Sequence, residues 1–366
     1  MPNNIIRTIG AAIAIAPAAI IPLAGNAAAS SGHRHHDERA TTVFTQTNDT
    51  AGNAVLALRR VDGNLTNVAS YPTGGLGTGG GLGSQGAIAT DDDHLIAVNA
   101  GSNELSLFRL GERGGLRRTD VEASNGVRPV SVTIFDDTVY VLNAGSRSVD
   151  GFRIRHDQLV PIKGSHQSLP GDGGAQISFD RTGRRLVVTE KATNTIDVLP
   201  VRHGVAGAAT SNPSVGMTPF GVAIDDNNNV IVSNAAGGAA GASSLSSYRF
   251  TGRSTIAAVS PTVATTQTAA CWVALSEDGR FAFTTNAGSG SVSSYSVGND
   301  GTIALASAVA ASTGASPVDM IVEDGVLYTL NSASHTITAH DIASNGSLTS
   351  AGQVSVPAGV NGLASN

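Results

Sequence analysis

Glu190 and Lys191 stand side by side in a chain that carries few charges. The carboxylate could take a proton or position a water, and the ammonium could hold an anionic oxygen. Arg128, directly before Pro129, adds a guanidinium able to grip a carboxylate through two parallel hydrogen bonds. His335 changes charge near neutral pH. Glu190, Arg128 and His335 are therefore the candidate catalytic set. Gln176, Lys191, Gln85, Asn143, Asn286 and Trp272, which is the only tryptophan, are the candidates for holding a ligand. Each has a structural alternative. Glu190 and Lys191 could form an ion pair between repeats, Arg128 could pair with a neighbouring acid, and Trp272 could pack between sheets. His335 could be exposed on its turn, and the asparagines could tie down turns.

These residues sit in a module that recurs along the chain. In TVYVLNAGSRSVDGFRI, from Thr138, a short apolar strand ends at Asn143, a polar turn follows and a second strand returns. Copies begin at Leu95, Leu186, Phe281 and Leu327, with looser ones at Val230 and Val43. The pivots of the seven modules are Asn48, Asn99, Asn143, Glu190, Asn234, Asn286 and Asn331, spaced by 51, 44, 47, 44, 52 and 45 residues. Repeats of about 40–50 residues made only of short strands specify an all-β, seven-bladed β-propeller with four strands per blade. The turns between first and second strands carry Asp, Asn and Gly, as at Asp91–Asp92–Asp93 and Asp136–Asp137. Tight hairpins need such residues, so these acids read as structural.

The first repeat lacks an inner strand, and the C-terminal PAGVNGLA from Pro357 resembles the inner strands of other repeats. That strand is expected to complete the N-terminal blade and close the ring. Strand order then puts all seven pivots and the starts of the inner strands on one face. Gln85, Arg128, Gln176 and Trp272 belong there beside Glu190 and Lys191, so the main pocket is expected on this face. Two glycine-rich loops, 73–86 and 235–244, could cover its mouth.

Composition narrows the function. Charged residues make up 14%, the formal net charge is −6, and lysine occurs only at Lys163 and Lys191. This excludes the basic footprint of a nucleic-acid binder. The glycines of 73–86 lack the Lys-Ser/Thr and following helix of a phosphate loop, so no cofactor is expected. No metal constellation is read in the folded part. Residues 1–29 read as a signal peptide: Arg7, an apolar run from Ile9 to Leu23 too short to span a bilayer comfortably, then Ala27–Ala28–Ala29. A secreted, extracellular protein without stable membrane insertion, and a monomer, is expected, with a mature N-terminus between Ala27 and His33. Residues 30–42, with SSGHRHHDER, read as a His-rich spacer, and residues 43–366 as the propeller. The single Cys271 cannot form an internal disulfide.

The runs GAQISFDRTGRRLVVTEKATNTIDV, TPFGVAIDDNNNVIVSNAAG and ACWVALSEDGRFAFTTNAGSGSVSSY resemble the lactonase family of seven-bladed propellers. That family includes propeller-type 6-phosphogluconolactonases and carboxymuconate-lactonizing enzymes. The resemblance implies a lactone hydrolase or lactonizing cyclase acting on a small lactone or sugar acid. Similar lactonizing members use a histidine, arginines and a glutamate on the top face. Arg128 and Glu190 match such groups by position, and Gln176 stands where the histidine is expected. The alternative is a non-catalytic propeller that binds a carbohydrate, wall polymer or protein on the same face.

Overall fold

The computed structural model describes residues 41–61, 64–111 and 114–366. The expected signal peptide, and the expected spacer up to residue 40, lie outside the described residues. The described residues form seven antiparallel sheets. Their inner strands are Asn361–Ser365, Ile88–Thr90, Pro129–Phe135, Gly174–Phe179, Pro219–Ile224, Ala270–Leu275 and Pro317–Glu323, taken from the first blade to the seventh. Each inner strand contacts the next, and the seventh returns to the first, so the ring is closed.

The second strands explain why the repeat is legible. Thr138–Asn143, Asn229–Asn234 and Val326–Asn331 are buried along their whole length because neighbouring blades cover both faces. Such strands read as continuous apolar runs rather than alternating ones. Outer strands such as Leu116–Ala123 and Leu348–Ser355 are mostly exposed or half-buried. In the third and fourth blades the outer edge is split, into Gln158–Pro161 with Gln167–Ser168 and Val205–Ala206 with Thr210–Pro213. The turn acids do structural work, as their types imply. Asp180 accepts from the Thr182 and Arg184 amides at 3.2 and 2.9 Å, and Asp225 from those of Asn227 and Asn229 at 3.0 and 2.7 Å.

Ring closure follows the expected pairing. Val43 faces Ser365, Phe44 faces Ala364 and Gln46 faces Asn361. The closing strand also ties three further parts of the ring. The Leu363 amide donates to Asp319 of the seventh blade at 3.2 Å, Thr90 of the second blade donates to the Ser365 carbonyl at 2.7 Å, and Asn361 Oδ1 accepts from the Leu82 amide at 3.0 Å. One pivot is shifted from its expected place. In the first blade Thr47, rather than Asn48, bonds to the start of the third strand, through Ala54. Asn48 has turned into the left-handed region (φ 52°) and bonds to Thr78 and Gly80 of the glycine loop.

Deleting residues 361–366 should destabilise the protein by at least ~3–5 kcal/mol, the scale of losing several buried apolar contacts and their ladder bonds. Thermal unfolding checks this, and an unchanged midpoint would show that the ring does not depend on its closing strand.

Candidate functional site

The pivots come first, because they define the face. Asn99, Asn143, Glu190, Asn234, Asn286 and Asn331 each end a second strand and are at most 1% exposed. The amide nitrogen of each asparagine donates across the turn to a side-chain oxygen on the third strand. The acceptors are Ser106 (2.7 Å), Asp150 (3.0 Å), Ser246 (2.8 Å), Ser293 (2.9 Å) and Thr338 (3.2 Å). Asn143 and Asn286 are thus enclosed and act as internal ties through their amide nitrogens, while their Oδ1 atoms have no protein partner.

Glu190 occupies the same register in the fourth blade and is equally enclosed. Thr195 donates to its Oε2 at 3.1 Å, and a Cβ added to Gly171 would come within 1.5 Å of that oxygen. Glycine is the only residue that fits over it. Glu190 therefore faces Thr195, Asp197 and the loop carrying Gly171 and Asp172, and it does not open on the mouth as the base expected from the sequence. Nor does it pair with Lys191, whose ammonium turns the other way.

The mouth itself is filled by the glycine-rich loop 73–86, the first of the two proposed covers. Its last residues cross the axis and bond to blade after blade. The Leu82 amide donates to Asn361, Ser84 Oγ donates to the Val130 carbonyl at 2.7 Å, and the Gln85 amide donates to the Ala175 carbonyl at 3.0 Å. Trp272 Nε1 donates to the Ser84 carbonyl at 2.9 Å, and Lys191 Nζ donates to the Gly83 carbonyl. The other loop stays on the surface: residues 237–242 are exposed, and Gly237 and Gly241 bond to Thr218 and Thr268.

The two glutamines are stitches between inner strands. Gln176 accepts from the Val222 amide at 2.6 Å and donates to its carbonyl at 3.0 Å, joining the fourth blade to the fifth. Gln85 does the same at Val273, at 3.2 and 3.0 Å, but from the far side of the axis. The reason is Gly221. At the place where a fifth-blade side chain would reach the sixth there is none, and Gln85 Oε1 lies 2.5 Å from where its Cβ would be.

What gathers at the mouth is a cation and aromatic cluster. The Lys191 ammonium lies 4.8 Å from the centre of the Phe220 ring, and Phe220 packs on Trp272 with ring centres 4.9 Å apart. Burial foremost, with the nearby Arg128 charge adding, pushes Lys191 down to about 8. Burial raises the Cys271 thiol to about 12, so it is neutral and no nucleophile. Arg128 is exposed and has a positive φ of 57°, as do Thr218, Ala269 and Ser316 before their own inner strands. That conformation belongs to the repeat. Neither Arg128 nor Lys191 has a carboxylate partner among the described residues. His335 is exposed on the seventh blade's turn, at φ 53°, and lines neither cavity.

The cavities lie elsewhere than expected. One of about 230 Å³ follows the axis beneath the loop, between inner strands, with Gln85, Gln176 and Asp319 on its wall. The larger, about 620 Å³, is a basin on the opposite face between the second and third blades. Asp91–Asp93, Asp136 and Asp137 line it together with His94, Arg109, His156 and Asp157, which sequence reasoning did not single out. The expectation that the pivot face holds the main pocket is not met, because loop 73–86 occupies that mouth. Among the described residues no group of His, Cys, Asp and Glu is placed to hold a metal, and no helix is long and apolar enough to cross a membrane.

Comparison with known proteins agrees with this architecture. Residues 211–324, from the fourth blade's outer strand to the end of the seventh blade's inner strand, match the family described as Lactonase, 7-bladed beta-propeller. The fold is that of the lactonase propellers. A candidate 6-phosphogluconolactonase of Bacteroides fragilis NCTC 9343 superposes with a TM-score of 0.66 at 17% identity, covering 90% of this chain and 99% of that one. For another from Bacteroides uniformis ATCC 8492 the values are 0.71, 13%, 89% and 99%. For the periplasmic gluconolactonase of Pseudomonas aeruginosa they are 0.68, 14%, 89% and 98%. No curated protein matches the sequence. At such identities the likeness extends to the fold, and the chemistry is argued from the site itself.

Gln85→Ala should cost about 2–3 kcal/mol, since it leaves the buried Val273 amide and carbonyl without partners. Denaturant unfolding checks this. Stability equal to the parent would mean that Gln85 does not stitch the ring.

Proposed function

We propose that this lactonase-like propeller is exported and acts on a small lactone or sugar acid at the Lys191 edge of the loop-covered mouth. The carrying observation is the pair of cations, Arg128 and Lys191, close enough to depress the lysine yet without a carboxylate partner among the described residues. Like charges held together without a counter-ion favour an anion. Phe220 and Trp272, packed on each other and buried, form the apolar backing that holds Lys191 in place. The basin on the opposite face, rich in carboxylates, would repel a sugar acid.

On this reading Arg128 grips the anionic oxygen of the substrate. An ammonium has three donors, and the Gly83 carbonyl takes one of those on Lys191, leaving two for a ligand. With Lys191 near 8, amine and ammonium coexist in mildly alkaline solution. The amine takes a proton from water as the hydroxyl oxygen adds to the lactone carbonyl. Arg128 then stabilises the oxyanion, and the ammonium returns the proton to the ring oxygen as the C–O bond breaks. One observation favours the second reading, a binding module for a carbohydrate, wall polymer or protein. Glu190, the carboxylate expected to act as base, is enclosed and withdrawn from the mouth.

Hydrolysis of an aldonolactone should rise with pH through about 8. Lys191→Met should lower turnover by on the order of 10²-fold or more, as for loss of a general base. Arg128→Ala should weaken binding of the sugar-acid product about tenfold, measured by calorimetry. Full turnover in Lys191→Met would remove its catalytic role. Absence of lactone turnover in the parent, with sugar-acid binding retained, would select the binding module.

A further inference from the structure

The fourth blade breaks the pivot rule in both members of its pair. Where other blades set an amide against a hydroxyl, and the third sets Asn143 against Asp150, the fourth sets Glu190 against Asp197. The two side chains are 1% and 0% exposed. Asp197 accepts from Ser211 Oγ through Oδ1, while its buried Oδ2 has no donor. Glu190 accepts from Thr195 through Oε2. Two buried carboxylates in contact cannot both be ionised, whereas one proton between them satisfies the orphaned oxygen. We propose that Glu190 and Asp197 share a proton in the folded protein and form a pH-sensitive latch on the turn carrying Lys191, closed in acid and strained in alkali.

The groups around the pair leave no other way to balance it. Asp172, on the loop that carries Gly171, adds a further negative charge. Thr195 and Ser211 are neutral donors, and the Lys191 ammonium lies against the Gly83 carbonyl and the Phe220 ring rather than against the pair. Burial above all, then the Asp197 charge, raises Glu190 to about 8, and burial raises Asp197 as well. The folded state thus keeps a proton that the unfolded chain loses near the ordinary glutamate value of 4.5. Stability contributed by the latch is complete below that value and is lost as pH rises towards about 8. The latch does not depend on what the mouth binds.

The test follows thermal unfolding of the full chain from pH 5 to pH 9, for the parent, Glu190→Gln and Asp197→Asn. Glu190→Gln recreates the amide-to-carboxylate tie of the third blade. The parent should lose stability across the range. Glu190→Gln should match it at pH 5, exceed it at pH 9 and show a flatter profile. Asp197→Asn, which leaves the proton on Glu190 no longer shared, should also flatten the profile. Because burial raises Asp319 to about 8 as well, the infrared readout is the difference between parent and Glu190→Gln at pH 7, which should contain a protonated carboxyl band. Parallel stability profiles for parent and Glu190→Gln, or no carboxyl band in that difference, would overturn the latch.

Discussion

Six of the seven blades are pinned by a short tie between the last residue of the second strand and a polar side chain on the third. It holds the hairpin closed where the blade is most enclosed, with the asparagine amide nitrogen bonded inside the protein. The chain leading into each inner strand then packs on top. In the third blade a Cβ on Gly126 would lie 2.5 Å from the Asn143 side chain. Tie, covering loop and inner strand form one unit, and the loop's path decides what reaches the axis. A ligand contact at the pivot position would have to give up this role.

The second constraint runs around the axis. Ser131 accepts from Ile177, Thr133 from Phe179 and Gln176 from Val222, each partner 46 residues further along. The sequence is broken at Gly221, and Gln85 supplies the missing link from across the ring. This substitution in space closes the mouth, since Gln85 brings the glycine loop with it. Lys191 and Trp272 are drawn into the same arrangement as donors to the loop's carbonyls.

Much of the architecture was legible beforehand. The apolar second strands, the hairpin residues and the unmatched final strand gave blade number, order and closure, because each follows from local pattern. The site was harder to read. Glu190, Lys191, Gln85 and Trp272 do depart from the repeat, but departure alone does not separate a ligand contact from a compensation. Glu190 answers Asp197, and Gln85 answers Gly221; neither partner is near in sequence pattern to the residue it explains. The shift from Asn48 to Thr47 was hidden for a similar reason, since the glycine loop captures the asparagine side chain. His94, Arg109 and Asp157 meet only because two blades bring separate turns together.

The closing strand also sets an order of events during synthesis. Thr42–Gln46 leaves the ribosome long before Asn361–Ser365, the strand that covers its inner edge. Throughout translation an uncharged, β-prone segment, TVFTQ, waits with one row of backbone groups unpaired. Such an edge invites pairing with a neighbouring nascent chain. Pairing with Asn361–Ser365 removes that edge, so the exposure it creates is confined to the interval before the ring closes.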